Sequence, residues 1–453
     1  MIVPSNRLLG WAALVLLPGL TLVSLGGSFL SLGLLLVATA VGVAVLDAVS
    51  SLERLSHLGI EPESPVHAIV GQPMELRIRL LTNRGTSRER PLALSFACDV
   101  PAELESVQFP PRMIYRDAGE GTRNVLTGTT RVLERGRHEI ERLHLQTDSL
   151  LGFWWIRRTI PMNLLVHGYP DLRSDRRLLA ARHFAKDTGV VQTLLSGRGR
   201  SFDRLREYVP GDEVDDIHWR ATAKRGKPIT KLYEIERDQR IYVAVDQSRM
   251  SARQSPRQTP PEPDPLALLE RYINTALLLG SVAQAQGDQF GLLGFGDRVT
   301  AFTPAGAGPV HYRACREAVL EFRLRRVNPD YRELFTFFGN QVRRRSLLFV
   351  LTSVDDPALC EELVESAKII ADRHLVVAAA VTPGSARSLS QAEPIGSPEV
   401  IVERLASHLS WKRLRQTARQ LSQAGIRFLP LDHETMVPHV VSSYARIKRG
   451  QLL

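Results

Sequence analysis

At 453 residues the chain is long enough for two or three domains and a sizeable core. Its 58 basic and 48 acidic residues leave a formal charge of +10, but the two signs are interspersed and no nucleic-acid module signature accompanies them, which sets specific nucleic-acid binding aside. The excess suits attraction to anionic lipid at a cytoplasmic face. Cys98, Cys315 and Cys360 lie too far apart for a disulfide framework or a metal-ligand spacing, and read as buried apolar side chains in a reducing compartment.

Residues 1–55 form the first region. Leu8 to Leu46 carries no charge, and one helix of about 39 residues would be roughly 58 Å long, about twice the hydrocarbon thickness. Two spans are therefore expected, turning near Gly26, Gly27 and Ser28. Gly33 and Gly42 offer places for close helix approach. The run is too long for a signal peptide and lacks a small-residue cleavage site. Arg7 before it and Arg54 after it, with no charge at the turn, place both ends in the cytoplasm. The expected location is a bacterial inner membrane, crossed twice, with the large soluble part inside.

From residue 56 to 170 the language changes to strands. Met74 to Leu80 alternates apolar and polar residues, and Leu92 to Phe96, Thr122 to Val132, His138 to Leu145 and Asn163 to His167 continue the pattern. Arg135, Gly136 and Arg137 read as a hairpin turn. The spacing predicts a β-sandwich-like domain of roughly immunoglobulin size. Leu150 to Ile156, with two tryptophans and Arg157 and Arg158 behind, reads as cover for the sandwich core, a membrane-facing rim being the other reading. His138 and His144 lie six apart in an expected strand and hence on one face, with no convergent ligand set around them.

Residues 171–239 form a charged connector. Arg204, Arg206, Glu207 and Tyr208 suggest a short amphipathic element, and Pro210, Gly211 and Asp212 a turn. Asp212, Glu213, Asp215 and Asp216 precede His218, Trp219, Arg220, Lys224, Arg225 and Lys227, so carboxylates and cations can pair across the turn. Anchored by Tyr208 and Trp219, this reads as a fixed docking surface. His218 among carboxylates is a candidate general base, but no activated serine or cysteine is tied to it. Gly197 and Gly199 lack the glycine and lysine spacing of a phosphate loop.

Residues 240–453 alternate strand and helix. Ile241 to Asp246, Phe290 to Gly296, Val299 to Thr303, Ser346 to Thr352, His374 to Val381 and Ile426 to Leu429 read as strands. Helical patterns run over Leu266 to Gln286, Val310 to Arg325, Arg332 to Val342, Leu359 to Asp372 and Val402 to Gln423. The alternation predicts an α/β sheet covered on both faces. Asp246 and Ser248 stand beyond the carboxyl end of a central strand, where such sheets place ligand sites.

The connector resembles the signature of the DUF58 family of membrane-associated proteins. The resemblance rests on Gly197, Gly199, Phe202, Leu205 to Tyr208, Pro210 to Asp212, Ile217 to Trp219, Ala223, Glu234, Glu236, Arg237 and Asp238. It implies an N-terminal membrane segment, a β-sandwich and a von Willebrand factor A-like C-terminal domain. It also implies a MoxR-type AAA+ ATPase as partner. The metal-binding variants of that domain use a DxSxS element, a distant threonine and a later aspartate. Here Asp246 and Ser248 match the first element and Met250 replaces its last serine. Ser353 stands where the aspartate belongs, unless a local shift brings in Asp355 or Asp356, and the threonine has no match around Asn328 to Tyr331. A thioether is a poor ligand for Mg²⁺, so the metal signal at Asp246 and Ser248 is weak.

The expected function is that of a non-catalytic, membrane-anchored protein-binding adaptor without cofactor. It would work with a MoxR-type AAA+ ATPase on membrane or envelope proteins. Arg206, Glu207, Tyr208, Asp212, His218, Trp219 and Arg237 form the expected binding or structural signature. The alternatives are Mg²⁺-dependent protein binding through Asp246 and Ser248, and a hydrolase using Asp246 or His218.

Overall fold

The apolar N-terminal run turns back on itself. In the computed structural model a short strand, β1 (Ile2–Pro4), precedes helix α1 (Asn6–Leu25), and α2 (Ser28–Ser51) follows after Gly27, whose φ of 58° suits a residue without a side chain. Both helices are long and apolar enough to cross a membrane and bury almost none of their surface in the protein. They touch at Gly33, where a Cβ would lie 2.8 Å from the carbonyl oxygen of Gly19 and 2.9 Å from the amide of Val23. Gly42 meets nothing, so the close approach expected at Gly33 and Gly42 occurs at Gly33 and Gly19 instead. The structure describes residues 1–25, 27–82, 92–115, 124–172, 201–209, 216–234, 239–252, 268–354, 356–381, 398–432 and 435–450. They form two units, Met1–Asp171 and Leu172–Leu453.

The rest of the first unit is a sandwich. Its strands are β2 (Leu58–Pro62), β3 (Val66–Ile69), β4 (Pro73–Thr82), β5 (Leu92–Cys98), β6 (Met113–Tyr115), β7 (Val125–Arg131), β8 (Gly136–Asp148) and β9 (Trp154–Tyr169). One sheet has the order β2-β4-β7. The other runs β1-β9-β8-β5-β6, with β3 parallel to β9. Alternation places Leu76, Ile78 and Leu80 of β4 inside and leaves Glu75, Arg77 and Arg79 in solvent. Leu94, Ile140, Leu143 and Leu164 belong to the same core.

Two sequence expectations change here. Arg135 to Arg137 is a crossover between sheets rather than a hairpin turn, because β7 pairs with β4 while β8 pairs with β5 and β9. His138 and His144 do not share a face. A register shift between Ile140 and Arg142 inverts the alternation, so His138 is buried and bonded to the Glu134 carbonyl at 2.8 Å, while His144 meets Asp99 at 3.0 Å.

The second unit begins with a two-stranded hairpin, β10 (Ser201–Glu207) and β11 (Ile229–Glu234), with the short helix α3 (Trp219–Arg225) between them. A six-stranded sheet follows: β12 (Arg240–Asp246), β13 (Gln289–Phe295), β14 (Val299–Gly306), β15 (Leu347–Ser353), β16 (Leu375–Val381) and β17 (Arg427–Leu431). Its order is β14-β13-β12-β15-β16-β17, parallel except for β14. The helices are α4 (Leu268–Ala285), α5 (Pro309–Ala318), α6 (Tyr331–Gln341), α7 (Pro357–Ala371), α8 (Pro398–Gln423) and α9 (Met436–Arg449).

Tyr272 and Ile273 of α4 pack with Val440 and Tyr444 of α9 in the core on one face, and Phe335 and Phe338 of α6 with Leu363 of α7 on the other. A parallel sheet covered twice explains why β12 and β15 are apolar along almost their whole length. Helix α9 has no counterpart among the expected elements. It is fastened by Lys448, 2.7 Å from the buried carboxylate of Asp288, and by Tyr444, which hydrogen-bonds the same Asp288 oxygen.

Candidate functional site

The short amphipathic element expected around Arg204 to Tyr208 falls on strand β10. Phe202 pairs with Tyr233 and Glu207 with Ile229, and an irregularity between Phe202 and Arg204 breaks the alternation. Arg206 and Tyr208 are half-buried, Glu207 is exposed, and the amide of Tyr208 donates to the Pro228 carbonyl at 3.0 Å. His218 caps α3: its Nδ1 accepts the amide of Ala221 at 3.1 Å, and its own amide donates to the Ile229 carbonyl at 2.7 Å. That is a structural task, with Nδ1 already committed. Trp219 at the first helical position is 67% exposed. Of the carboxylates expected to pair with cations across the turn, Asp212, Glu213 and Asp215 lie outside the described residues; Lys227 stands 3.5 Å from Glu207 instead, with both side chains well exposed, a geometry worth little. Asp212 and Arg237 lie outside the described residues.

The sheet reverses direction at its middle. From β12 the chain builds outward through β13 to β14, then returns to the other side for β15, β16 and β17. The crevice beyond the carboxyl ends of β12 and β15 is therefore the topological switch point. Asp246 ends β12 there with 0% of its surface exposed. One carboxylate oxygen accepts the amide of Ser248 at 2.8 Å, and the other accepts the hydroxyl of Thr352 at 2.7 Å. Thr352 is bonded in turn to the Tyr331 hydroxyl at 2.8 Å, and its carbonyl accepts the hydroxyl of Tyr272. Burial pushes the Asp246 carboxyl above its ordinary range, against the lowering effect of its hydrogen bonds to Ser248 and Thr352. Burial, with the Asp246 charge beside it, pushes Tyr331 well up, which keeps its hydroxyl a proton donor.

Among the described residues, the donor set does not fit a hard cation. Both Asp246 oxygens are used, the Ser248 hydroxyl oxygen accepts the amide of Met250 at 3.2 Å, and the Met250 thioether is itself buried. Asp356 turns elsewhere, capping α7 through the amide of Ala358 at 3.1 Å. Asp355 lies outside the described residues. A guanidinium bridges these loops: Arg249 approaches Asp356 at 3.6 Å and hydrogen-bonds the Asn328 side chain, while its amide donates to the Val327 carbonyl at 3.0 Å. The Arg325 amide donates to the Gln247 carbonyl at 2.7 Å, and the Asp330 amide to that of Gly296 at 2.8 Å. The rim so assembled carries Arg298, Arg323 and Arg326 exposed, whereas Asp297 is engaged by Arg325 at 2.9 Å.

Residues 204–395, spanning the hairpin and most of this sheet, match the family model described as protein of unknown function DUF58. Over this segment the chain is similar to DUF58 proteins. Among solved structures, the chain is similar to the conserved hypothetical protein BatB from Bacteroides thetaiotaomicron. The two are 14% identical over 47% of this chain and 99% of that one, with a TM-score of 0.30. It is also similar to the SpRpn10 VWA domain, at 8% identity over 46% and 94% of the two chains, with a TM-score of 0.27. No curated protein matches the chain.

Among the described residues of the matched segment, those the sequence singled out do not converge on one centre. Asp246 and Ser248 share the closed crevice, whereas Arg206, Glu207, Tyr208, His218 and Trp219 belong to the hairpin. Sequence reasoning missed Arg249, Thr352 and Tyr331. The available signal was a hydroxyl ending the apolar strand β15, directly beside the one that ends in Asp246.

Proposed function

We propose that this protein is a membrane-anchored protein-interaction module that binds an acidic partner without metal. The observation that carries the proposal is the bridging of the carboxyl edge by Arg249, a cation supplied by the chain itself, above a carboxylate closed by Thr352 and Tyr331. The rim around it presents Arg298, Arg323 and Arg326 to solvent, which favours a surface rich in carboxylates. Trp219 is a second contact, a large amphipathic side chain of the type that dominates interface energetics. No catalytic part is proposed for Asp246, which is enclosed, or for His218, which caps a helix.

The two N-terminal helices anchor the protein in a bilayer and raise its effective concentration near other membrane proteins. Arg7 and Arg54 at their ends support a bacterial inner membrane with the soluble part in the cytoplasm. The family resemblance supports a MoxR-type AAA+ ATPase as partner, with assembly or remodelling of envelope proteins as the process. The test is capture of that ATPase in mild detergent, with and without EDTA. Capture unaffected by EDTA, weakened by Trp219→Ala and lost on Arg298→Glu with Arg326→Glu, is the expected result. Capture abolished by EDTA, or unchanged in all these variants, would overturn the reading.

A further inference from the structure

The segment between β8 and β9 holds both helices at one end. Asp47, in the last turn but one of α2, is only 3% exposed. Its carboxylate accepts the Ser149 hydroxyl at 2.6 Å and the Leu151 amide at 2.9 Å. The Leu150 amide donates to the Ser51 hydroxyl at 3.2 Å, and the Trp154 indole donates to the carbonyl of Ala44 at 2.9 Å. On the other helix the ring of Phe153 lies 4.9 Å from that of Trp11, and the Ser5 hydroxyl donates to the Gly152 carbonyl at 2.6 Å. Of the residues expected to cover the sandwich core, only Ile156 does so. Leu150 and Leu151 are 47% and 54% exposed, and Phe153 and Trp154 turn to the helices.

Depth along α2 decides what meets those two leucines. With 24 residues α2 is about 36 Å long, roughly 6 Å more than the hydrocarbon core. With Ser28 set at the opposite boundary, that surplus is about the turn from Asp47 to Ser51, which places Asp47 at the hydrocarbon boundary. The Ala44 carbonyl that receives Trp154 lies inside it. A loop bonded to both positions is at the same level. Trp155 beside it carries the Arg157 guanidinium 5.9 Å from its ring centroid, an aromatic and basic pair suited to the headgroup layer.

We propose that residues 149–155 are a third membrane contact, with Leu150, Leu151 and the Trp154 indole at the acyl boundary, Trp155 at headgroup level, and a phospholipid bilayer as the partner. The proposal rests on the reading of α1 and α2 as membrane spans and is continuous with that surface. It makes the sandwich sit on the bilayer instead of hanging from a tether.

The test uses the full chain in vesicles of phosphatidylcholine and phosphatidylglycerol, in a Cys98→Ser background, Cys315 and Cys360 being buried. An environment-sensitive fluorophore is placed at Leu151→Cys, at Leu35→Cys in the middle of α2, and at Glu141→Cys on the exposed face of β8. Lipids spin-labelled near the top or the centre of the acyl chain serve as quenchers. Expected are a blue shift and strong quenching at position 151 by the shallow label, strong quenching at 35 by the deep label, and neither at 141. Quenching at 35 with a water-like, unquenched probe at 151 would overturn the third contact and leave the anchor standing. Loss of quenching at 35 would remove the anchor and the proposal with it. Leu150→Cys, read the same way, keeps the test decisive if Leu151→Cys fails to fold.

Discussion

Asp47 and Asp246 are solvated by the protein in the same way. Each is buried, and each accepts one backbone amide and one side-chain hydroxyl at 2.6 to 2.9 Å. Their neighbours in sequence give them different work. For Asp47 both donors come from about a hundred residues away, so the carboxylate joins a helix to a sheet. For Asp246 the amide belongs to its own turn and the hydroxyl to the adjacent strand, so the carboxylate seals a crevice within one sheet. A buried carboxylate at the end of a regular element is thus no sign of a ligand site; the origin of its donors tells whether it fastens, closes or stands ready. Asp288 is a third solution, paired with a cation.

Substitutions at or beside these three carboxylates separate the cases. The largest effect is expected from Lys448→Met. It leaves Asp288 buried without its cation and should cost about 3 kcal/mol, measured by urea unfolding of the second unit. Asp47→Ala should come next, at about 2 kcal/mol, because it strands the Ser149 hydroxyl and the Leu151 amide. Hydrogen exchange should then accelerate at Leu151 and leave the Ser248 amide protected. Equal protection at both would mean that Asp47 is not the fastener.

Met250→Ser restores the third residue of the DxSxS element. It is expected to destabilise by about 2 kcal/mol through the cavity and the buried hydroxyl. No Mg²⁺-dependent rise in Tm should follow, since the Asp246 oxygens remain engaged. A rise of several degrees with millimolar Mg²⁺ would show that Met250 alone closes the site.

The smallest effect is expected at Asp246→Asn. The folded carboxyl binds its proton more tightly than the unfolded one, because burial raises its pKa. The wild type is therefore favoured below the ordinary carboxylate range and loses that advantage as pH rises from there through the folded value. The isosteric amide removes the loss, so the variant should match the wild type in acid and be as stable or slightly more stable at neutral pH. Tm against pH for both proteins gives the difference. A variant that becomes relatively weaker as pH rises would mean that the charged form is the one the fold prefers.

Most elements were legible because their signals are local. The alternation of Met74 to Leu80, the apolar runs of β12 and β15, and the length of the N-terminal run each force a structure on their own segment. Non-local choices were not. The pairing of β1 with β9 spans most of the first unit, and a three-residue strand carries no period to read. The donors of Asp47 cannot be guessed from a lone acid at the end of an apolar helix. The bulge in β8 defeated the face assignment for His138 and His144, since one extra residue inverts everything after it. In the crevice, Asp246 and Ser248 were visible as a motif remnant, while the parts that seal it come from β15 and α6, more than eighty residues farther on.

The edge strand β1 has a consequence for biogenesis. Ile2 pairs with Ile156 and Pro4 with Trp154, so the chain enters the sandwich, departs through α1, comes back through α2 and then completes the same sheet. A polypeptide emerging from its N-terminal side must keep that first strand waiting until β9 has been made. Under the proposed anchoring, insertion that stranded it across a bilayer would leave the finished sheet with an open flank, so the pairing of β1 with β9 requires both ends of the helix pair on one side.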